Sequence, residues 1–147
     1  LSIAQKESQQ VDICLGVHSG DHAIYPDCRP EFYDAIYQAF AIGNWDSEQI
    51  GIYLPYLEFE KYDILKDAQD SISRLDLDFE TVFKNTLTSY QPTDDGLSHG
   101  MTGSDVERIL AFHRLGIADP LDYQLPWDDA LAAALEFQQN EQDREKP

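Results

Sequence analysis

The sequence predicts an α/β fold for this chain of 147 residues, and two neighbouring segments predict it. Val11 to Val17 is a short apolar run rich in β-branched residues, typical of a buried strand that leads into a glycine-containing loop. A segment with helical spacing of apolar residues follows, so strand, loop and helix come in the order of an α/β unit. Because such folds bind ligands at the carboxyl ends of strands, the loop from His18 to Arg29 is the predicted site.

Two helices are predicted around this strand. Residues 1–10 are interpreted as the end of a helix, from a few apolar residues. The second helix begins at Pro30, whose fixed φ suits the first helical position, and Gly43 can end it. Its predicted inner face consists of Phe32, Ala35, Ile36, Ala39 and Phe40.

The middle of the chain contains the second predicted strand, Ile50 to Leu54, which Pro55 stops. Residues 76–87 alternate poorly, and a third strand is predicted near Thr81 to Phe83. Between them lies a helix from Lys61 to Ile72. The predicted inner face of this helix is formed by Ile64, Leu65, Ala68 and Ile72.

The last third of the chain is predicted to be a loop and two helices. Tyr90 to Gly103 is rich in loop-forming residues, and Ser104 with Glu107 matches a capping box for a helix that ends at Gly116. Alanine and leucine favour a last helix from Trp127 to Gln139, before a polar tail. An apolar stripe suits packing on this domain or on a partner: Trp127, Leu131, Ala134 and Leu135.

Composition limits the classes of partner and the compartment. Ten basic against 28 acidic residues give a net charge of −18, which disfavours nucleic-acid binding and indicates a solvated surface. No apolar run approaches the roughly 20 residues that a membrane span needs. Two cysteines and no signal peptide indicate cytoplasmic free thiols, with one disulfide as the alternative. Because Leu1 stands where a Met would, we expect a fragment, a processed product or a trimmed chain.

The predicted ligand loop also carries a family resemblance. Residues 16–32 read GVHSGDHAIYPDCRPEF. This segment resembles the substrate loop of the QueC family of 7-cyano-7-deazaguanine synthases, in which a strand ends in a Gly-rich turn and a Tyr-Pro-Asp-Cys-Arg stretch opens a helix. Further similarity lies at Pro55 and Lys61, at Val106-Glu107-Arg108, and from Leu115 to Tyr123.

The resemblance divides the chain and implies an activity. Residues 1–123 would be the C-terminal part of a QueC-like domain, and residues 124–147 a helical extension with a polar tail. The implied fold is adenine-nucleotide α-hydrolase-like, as in PP-loop ATPases, a parallel sheet with helices and an irregular C-terminal lobe. The implied enzyme is a C–N bond-forming ligase that uses ATP and Mg²⁺ to adenylate 7-carboxy-7-deazaguanine, adds ammonia and dehydrates the amide to a nitrile. A homodimer is a further expectation.

Three loop residues can be given substrate-binding roles, each with an alternative. Asp27 can accept hydrogen bonds from the N–H edge of a guanine-like ring, or cap the helix that starts near Pro30. Arg29 can hold a carboxylate or phosphate bidentately, or form a surface ion pair with Asp27 or Glu31. Tyr25 can stack on a heterocycle, or simply pack.

The remaining loop residues are more ambiguous. The glycines and Asp21 allow a close approach of the backbone to a ligand, or form an ordinary turn. His18 and His22 suggest a metal pair, but no third ligand has suitable spacing. Cys28 is interpreted as a small hydrophobe rather than a nucleophile. No catalytic residue is assigned, and the predicted substrate-binding set is Gly16, His18, Asp21, Tyr25, Asp27, Cys28 and Arg29.

Two departures from the family weaken the enzyme hypothesis. The Ser-Gly-Gly-x-Asp-Ser loop that cradles the ATP pyrophosphate is absent, so this chain is expected to be inactive alone, with Lys61 as an ATP-binding candidate or a surface lysine. Ser and Thr are poor zinc ligands, so no structural zinc is expected, and packing with a Ser104 cap would hold the loop 96–103. The family's four zinc cysteines align with Ser89, His99, Thr102 and Asp105.

Three functions are compatible with these residues. In the leading one, the complete gene product makes 7-cyano-7-deazaguanine and this chain supplies the substrate loop. The first alternative is a QueC-like enzyme that conjugates a deazapurine to another molecule. The second is a non-catalytic module that binds a deazapurine.

Overall fold

The computed structural model describes residues 1–22 and 25–144. They fall into two compact units, Leu1–Glu60 and Lys61–Pro147. Each unit is described by itself, and the first element of each is a helix. No helix in the described ranges is both long enough and apolar enough to cross a membrane.

The first unit is a small α/β arrangement, as predicted. Its strands run parallel, with Val11 opposite Ile50 and Cys14 opposite Tyr53. The connection between two parallel strands contains a helix, which is how such strands are usually joined. In chain order the elements are α1 (Ser2–Glu7), β1 (Val11–Cys14), α2 (Pro30–Gly43) and β2 (Ile50–Tyr53).

The prediction that the first strand is buried is wrong. Residues 12–14 of β1 are exposed, and α2 contains no buried residue despite its apolar face. Parallel strands are normally covered on both faces, but the described part of this unit offers β1 only one neighbouring strand. Within it, only Ala4, His18 and Ile50 are buried.

The second unit is helical. Its core forms two clusters, one centred on Phe112 and the other on Ile109, both fully buried on the same helix. Its elements are α3 (Lys61–Arg74), α4 (Phe79–Lys84), α5 (Gly103–Leu115) and α6 (Trp127–Arg144).

The strand predicted near Thr81 to Phe83 is a helix, α4. The Asp78 side chain caps it by accepting a hydrogen bond of 2.7 Å from the backbone N–H of Thr81. Phe79 and Phe83 lie one turn apart, with ring centroids separated by 4.5 Å, and Phe83 meets Phe112 edge-on at 5.3 Å. The Phe spacing of four residues was therefore the decisive signal, because it places both rings on one helical face.

The start of α5 also differs from the prediction. The capping box consists of Thr102 and Asp105, not of Ser104 and Glu107. The helix therefore begins one residue before Ser104. Its predicted end is confirmed, because Gly116 adopts φ 81° in the left-handed region that terminates helices.

The last helix packs on its own unit. Ala130 and Ala134 of α6 are buried against Val106 and Ile109 of α5. The helix continues to Arg144, past its predicted end at Gln139. The predicted division of the chain after residue 123 stays a prediction.

Candidate functional site

The loop predicted to bind a ligand follows the carboxyl end of β1, as the sequence indicated. Leu15 extends the sheet by one hydrogen bond, from its N–H to the carbonyl of Tyr53 at 3.1 Å. Two 3-10 turns follow, Ser19–Asp21 and Pro26–Cys28. Ser19 anchors the first turn, because its N–H and its Oγ both donate to the carbonyl of Phe59, at 2.9 and 2.8 Å.

The two histidines present imidazole nitrogens that no group in the described ranges satisfies. His18 is buried, and its Nε2 lies 3.3 Å from Oδ2 of Asp21, only three residues away. Its Nδ1 and the Nε2 of His22 are buried without a hydrogen-bond partner. Since buried polar atoms are nearly always paired, these two nitrogens are available to a ligand or to water.

The charged residues of the second turn are exposed. Arg29 donates from Nε to the carbonyl of His22 at 2.7 Å, which leaves the ends of its guanidinium free of Asp27 and Glu31 within the described residues. The alternative of a surface ion pair is therefore not supported. Helix α2 has no side-chain cap, so the helix-cap alternative for Asp27 is wrong. Tyr25 is 37% exposed.

The Cys28 thiol is not activated as a nucleophile. Burial raises its pKa, and the negative charges of Asp21 and Asp27 raise it further. The pKa of Tyr33 is raised as well, first by burial and then by Cys28 and Asp27. A reactive cysteine requires a lowered pKa and a positive environment. This environment does not favour a nucleophilic role for Cys28, and its role as a small hydrophobe stays a prediction. Both Cys28 and Cys14 are free thiols.

Lys61, the candidate for ATP phosphates, is engaged in an ion pair. Its Nζ lies 2.8 Å from Oε2 of Glu107, and both side chains are largely buried, at 18% and 30% exposure. A phosphate at Lys61 would have to compete with this carboxylate. The sequence did not reveal the pair, because the two residues are 46 positions apart.

The four residues that the resemblance aligns with zinc cysteines do not fit a zinc ion. Ser89 Oγ and Thr102 Oγ1 donate to Oδ2 of Asp105, at 3.2 and 2.7 Å. The fourth position, His99, instead pairs its Nδ1 with Oε1 of Gln124 at 2.8 Å. Tetrahedral zinc needs four converging N, S or carboxylate ligands. Here two hydroxyls serve as hydrogen-bond donors, and the imidazole bonds elsewhere.

A buried ion pair in the second unit escaped the sequence analysis. Arg108 donates from Nη2 to Oδ1 of Asp119 at 2.9 Å and from Nη1 to the carbonyl of Thr86 at 3.0 Å. Tyr123 donates its hydroxyl to Oδ2 of Asp119 at 2.7 Å. Arg108 and Asp119 are 3% and 7% exposed. Both residues lie in stretches that resemble the family, and this resemblance was the only sequence feature that singled them out.

Comparison with known proteins decides the family. The family model described as "Queuosine biosynthesis protein QueC" matches residues 1–116. The chain belongs to the QueC family. The match includes the whole ligand loop and the whole of α5. No solved structure matches the chain.

Curated relatives from this family are named 7-cyano-7-deazaguanine synthases. One from Colwellia psychrerythraea is 41% identical over 113 residues, covering 77% of this chain and 46% of its own length. One from Marinomonas is 40% identical over 76% of this chain and 46% of its own length. One from Allorhizobium ampelinum is 37% identical over 88% of this chain and 50% of its own length. The chain spans about half the length of the curated relatives it matches.

Proposed function

We propose that this QueC-family chain supplies the substrate loop of an enzyme that converts 7-carboxy-7-deazaguanine to 7-cyano-7-deazaguanine. The relatives bear the name of that synthase. The observation that carries the proposal is the position of the loop 16–29 at the carboxyl end of a parallel strand, where α/β folds bind ligands.

The side chains of this loop suit a heterocycle with a carboxylate. The exposed carboxylate of Asp27 can accept hydrogen bonds from the N–H groups of a guanine-like edge. The guanidinium of Arg29 keeps two terminal nitrogens for a carboxylate oxygen pair while its Nε holds the carbonyl of His22. Tyr25 is exposed enough to stack on the ring.

The buried ring nitrogens of the two histidines complete the proposed subsite. Nδ1 of His18 and Nε2 of His22 are unpartnered within the described ranges, and each can donate to or accept from a purine-like ligand. Asp21 orients His18 through the 3.3 Å contact. Cys28, with its raised pKa, fills space beside the ligand and forms no bond to it.

ATP, Mg²⁺ and ammonia belong to this proposal as co-reactants. ATP would transfer an adenylyl group to the carboxylate with release of pyrophosphate, and ammonia would then attack the acyl carbon with AMP as the leaving group. The contribution of this chain is to bind and orient the carboxylate, since most of the rate gain in such reactions comes from positioning and charge stabilisation. Lys61 stays a candidate for contact with an ATP phosphate, but the phosphate would have to replace Glu107 as the partner of the Lys61 ammonium group. A cytoplasmic location and a homodimer remain predictions.

Calorimetric titration of the chain with 7-carboxy-7-deazaguanine tests the proposal, with and without Mg-ATP. We expect saturable binding that is weakened at least about tenfold in the double variant Asp27→Ala/Arg29→Ala, because a charge-assisted hydrogen bond contributes roughly 1.5–3 kcal/mol. The matched control is Asp70→Ala/Arg74→Ala, which removes the same two charges from an exposed helix.

Equal binding by wild type and the loop variant would contradict the proposed roles of Asp27 and Arg29. Loss of binding in both double variants would indicate a general charge effect rather than a site. A product assay on the complete gene product then distinguishes nitrile formation from conjugation of the deazapurine, because only the first yields free 7-cyano-7-deazaguanine.

A further inference from the structure

A buried carboxylate connects the loop that precedes α5 to the start of that helix. Asp105, 1% exposed, accepts four hydrogen bonds. Its Oδ1 accepts from Ser98 Oγ at 2.7 Å. Its Oδ2 accepts from Thr102 Oγ1 at 2.7 Å, from Thr102 N at 3.1 Å and from Ser89 Oγ at 3.2 Å. We call Asp105 with Ser89, Ser98 and Thr102 the Asp105 cluster.

The cluster reaches three separate stretches of chain. Ser89 belongs to the strand-free segment after α4, and it is 16 residues from Asp105. Ser98 is fully buried, and its Oγ also accepts from the N–H of Gly100 at 3.2 Å. A second link runs beside the first, from Ser104 Oγ to the carbonyl of Thr88 at 2.9 Å. Removing the carboxylate would therefore free the Ser89 and Ser98 side chains from the start of α5 and leave the Ser104–Thr88 hydrogen bond as the remaining link.

The charge of this carboxylate is stabilised without a cation in the cluster. Burying an unpaired carboxylate is costly, and hydrogen bonds from hydroxyl and N–H donors offset the cost. Asp105 also occupies the third position of α5, where the positive end of the helix dipole favours a negative charge. The nearest cation along the helix, Arg108, directs its hydrogen bonds to Asp119, Thr86 and Phe83 and none to Asp105 within the described residues.

The cluster coincides with the family's metal positions. By the resemblance to the QueC family, Ser89, Thr102 and Asp105 align with three of the family's four zinc cysteines, and His99 aligns with the fourth. In this chain the hydroxyls of Thr102 and Ser89 donate hydrogen bonds of 2.7 and 3.2 Å to the Asp105 carboxylate. These hydrogen bonds stand where the family would have bonds to a metal. His99 is not part of this cluster, and its Nδ1 forms a hydrogen bond with Oε1 of Gln124. We propose that the Asp105 carboxylate takes the place of the metal ion and holds the loop 89–102 onto α5 without any metal.

Thermal unfolding and metal analysis of the purified chain test this proposal. The expected metal content is well below one zinc per chain. The unfolding temperature should not change when EDTA is added, nor when zinc is added in slight excess. Asp105→Asn keeps the shape but removes the charge and one acceptor, and should lower the unfolding temperature by about 5 °C or more.

Matched variants separate the cluster from a general effect of charge. Asp95→Asn makes the same change in the same loop at an exposed position, and should leave the unfolding temperature within about 1 °C of the wild type. Hydrogen exchange provides a local readout, in which Asp105→Asn should accelerate exchange in residues 89–102 more than in α3. This readout does not depend on whether the chain binds a deazapurine.

A further variant checks the alignment on which the metal comparison depends. The quadruple variant S89C/H99C/T102C/D105C should bind one zinc ion, and its unfolding temperature should become sensitive to EDTA. Stoichiometric zinc in the wild type, an EDTA-sensitive unfolding temperature in the wild type, or an Asp105→Asn variant as stable as Asp95→Asn would each overturn the proposal.

Discussion

The two units of the chain differ in how they are held together. Of the buried apolar residues in the described ranges, only Ala4 and Ile50 lie in the first unit, whereas the second has two buried clusters formed by its four helices. The second unit also contains the buried polar groups Asp105, Arg108 and Asp119. The first unit contains the ligand loop. The part of the chain that presents the loop is therefore the part with the smaller core of its own, and low local stability is common in segments that bind ligands.

The largest expected effect comes from the aromatic core of the second unit. Phe112→Ala should destabilise the chain by about 3–5 kcal/mol, because the ring is fully buried and contacts Phe83 at 5.3 Å. Phe32→Ala is the matched change in α2, where the ring is 40% exposed, and should cost under about 1 kcal/mol. Urea unfolding followed by circular dichroism measures both. Equal losses would contradict the contrast between the units.

The next effect concerns the buried ion pair. Arg108→Met should destabilise the second unit by about 3 kcal/mol, because Asp119 would remain buried and charged without its partner. The double variant Arg108→Met/Asp119→Leu should recover part of that loss. As a surface control, Arg144→Met disrupts the exposed pair with Glu141 and should change stability by less than about 1 kcal/mol. A double variant less stable than Arg108→Met would argue against a charge-based explanation.

The smallest effect is a dependence on alkaline pH. Burial raises the pKa of Tyr123 well above its usual range, and the neighbouring Asp119 adds to the shift. Because the folded-state pKa is the higher one, the stabilisation is fully present below the unfolded pKa of about 10 and is lost as the pH rises above it. The loss should reach at most about 1.4 kcal/mol per pH unit. Tyr123→Phe should show a shallower decline between pH 10 and 11 in urea unfolding, and an identical slope would contradict this role.

The sequence predicted the elements that local signals define. Pro30 and Gly43 bound α2 as expected, and β2 and α3 lie where their apolar patterns placed them. The exposure of β1 was not predictable from its composition, because burial depends on how many strands and helices cover a strand. The prediction of a strand near Thr81 to Phe83 was wrong because it did not use the two helix signals in this segment, the capping Asp78 and the spacing of Phe79 and Phe83.

The sequence predicted where the loop 16–29 lies in the fold, but it did not predict the long-range side-chain pairs. The position of the loop 16–29 after β1 could be predicted because a strand followed by glycines and turn residues is a local sequence pattern. The partners of Lys61, Asp105 and Arg108 are up to 46, 16 and 25 residues away, and no periodicity reports them. The absence of a structural zinc stays a prediction from ligand chemistry. The hydrogen bonds of the Asp105 cluster, where the sequence suggested packing and a Ser104 cap, could only be seen in the structure.

The most direct test of the central claim is the response of the histidine ring signals to ligand, measured by NMR on the chain with labelled imidazoles. We predict that 7-carboxy-7-deazaguanine shifts the ring signals of His18 and His22, whose buried nitrogens lack partners in the described structure, and leaves those of the exposed His113 unchanged. Saturation of both shifts with one dissociation constant would place the ligand in the loop of the first unit. Equal or absent shifts at His18, His22 and His113, at ligand concentrations where calorimetry detects binding, would place the ligand elsewhere and contradict a binding site in the loop of the first unit.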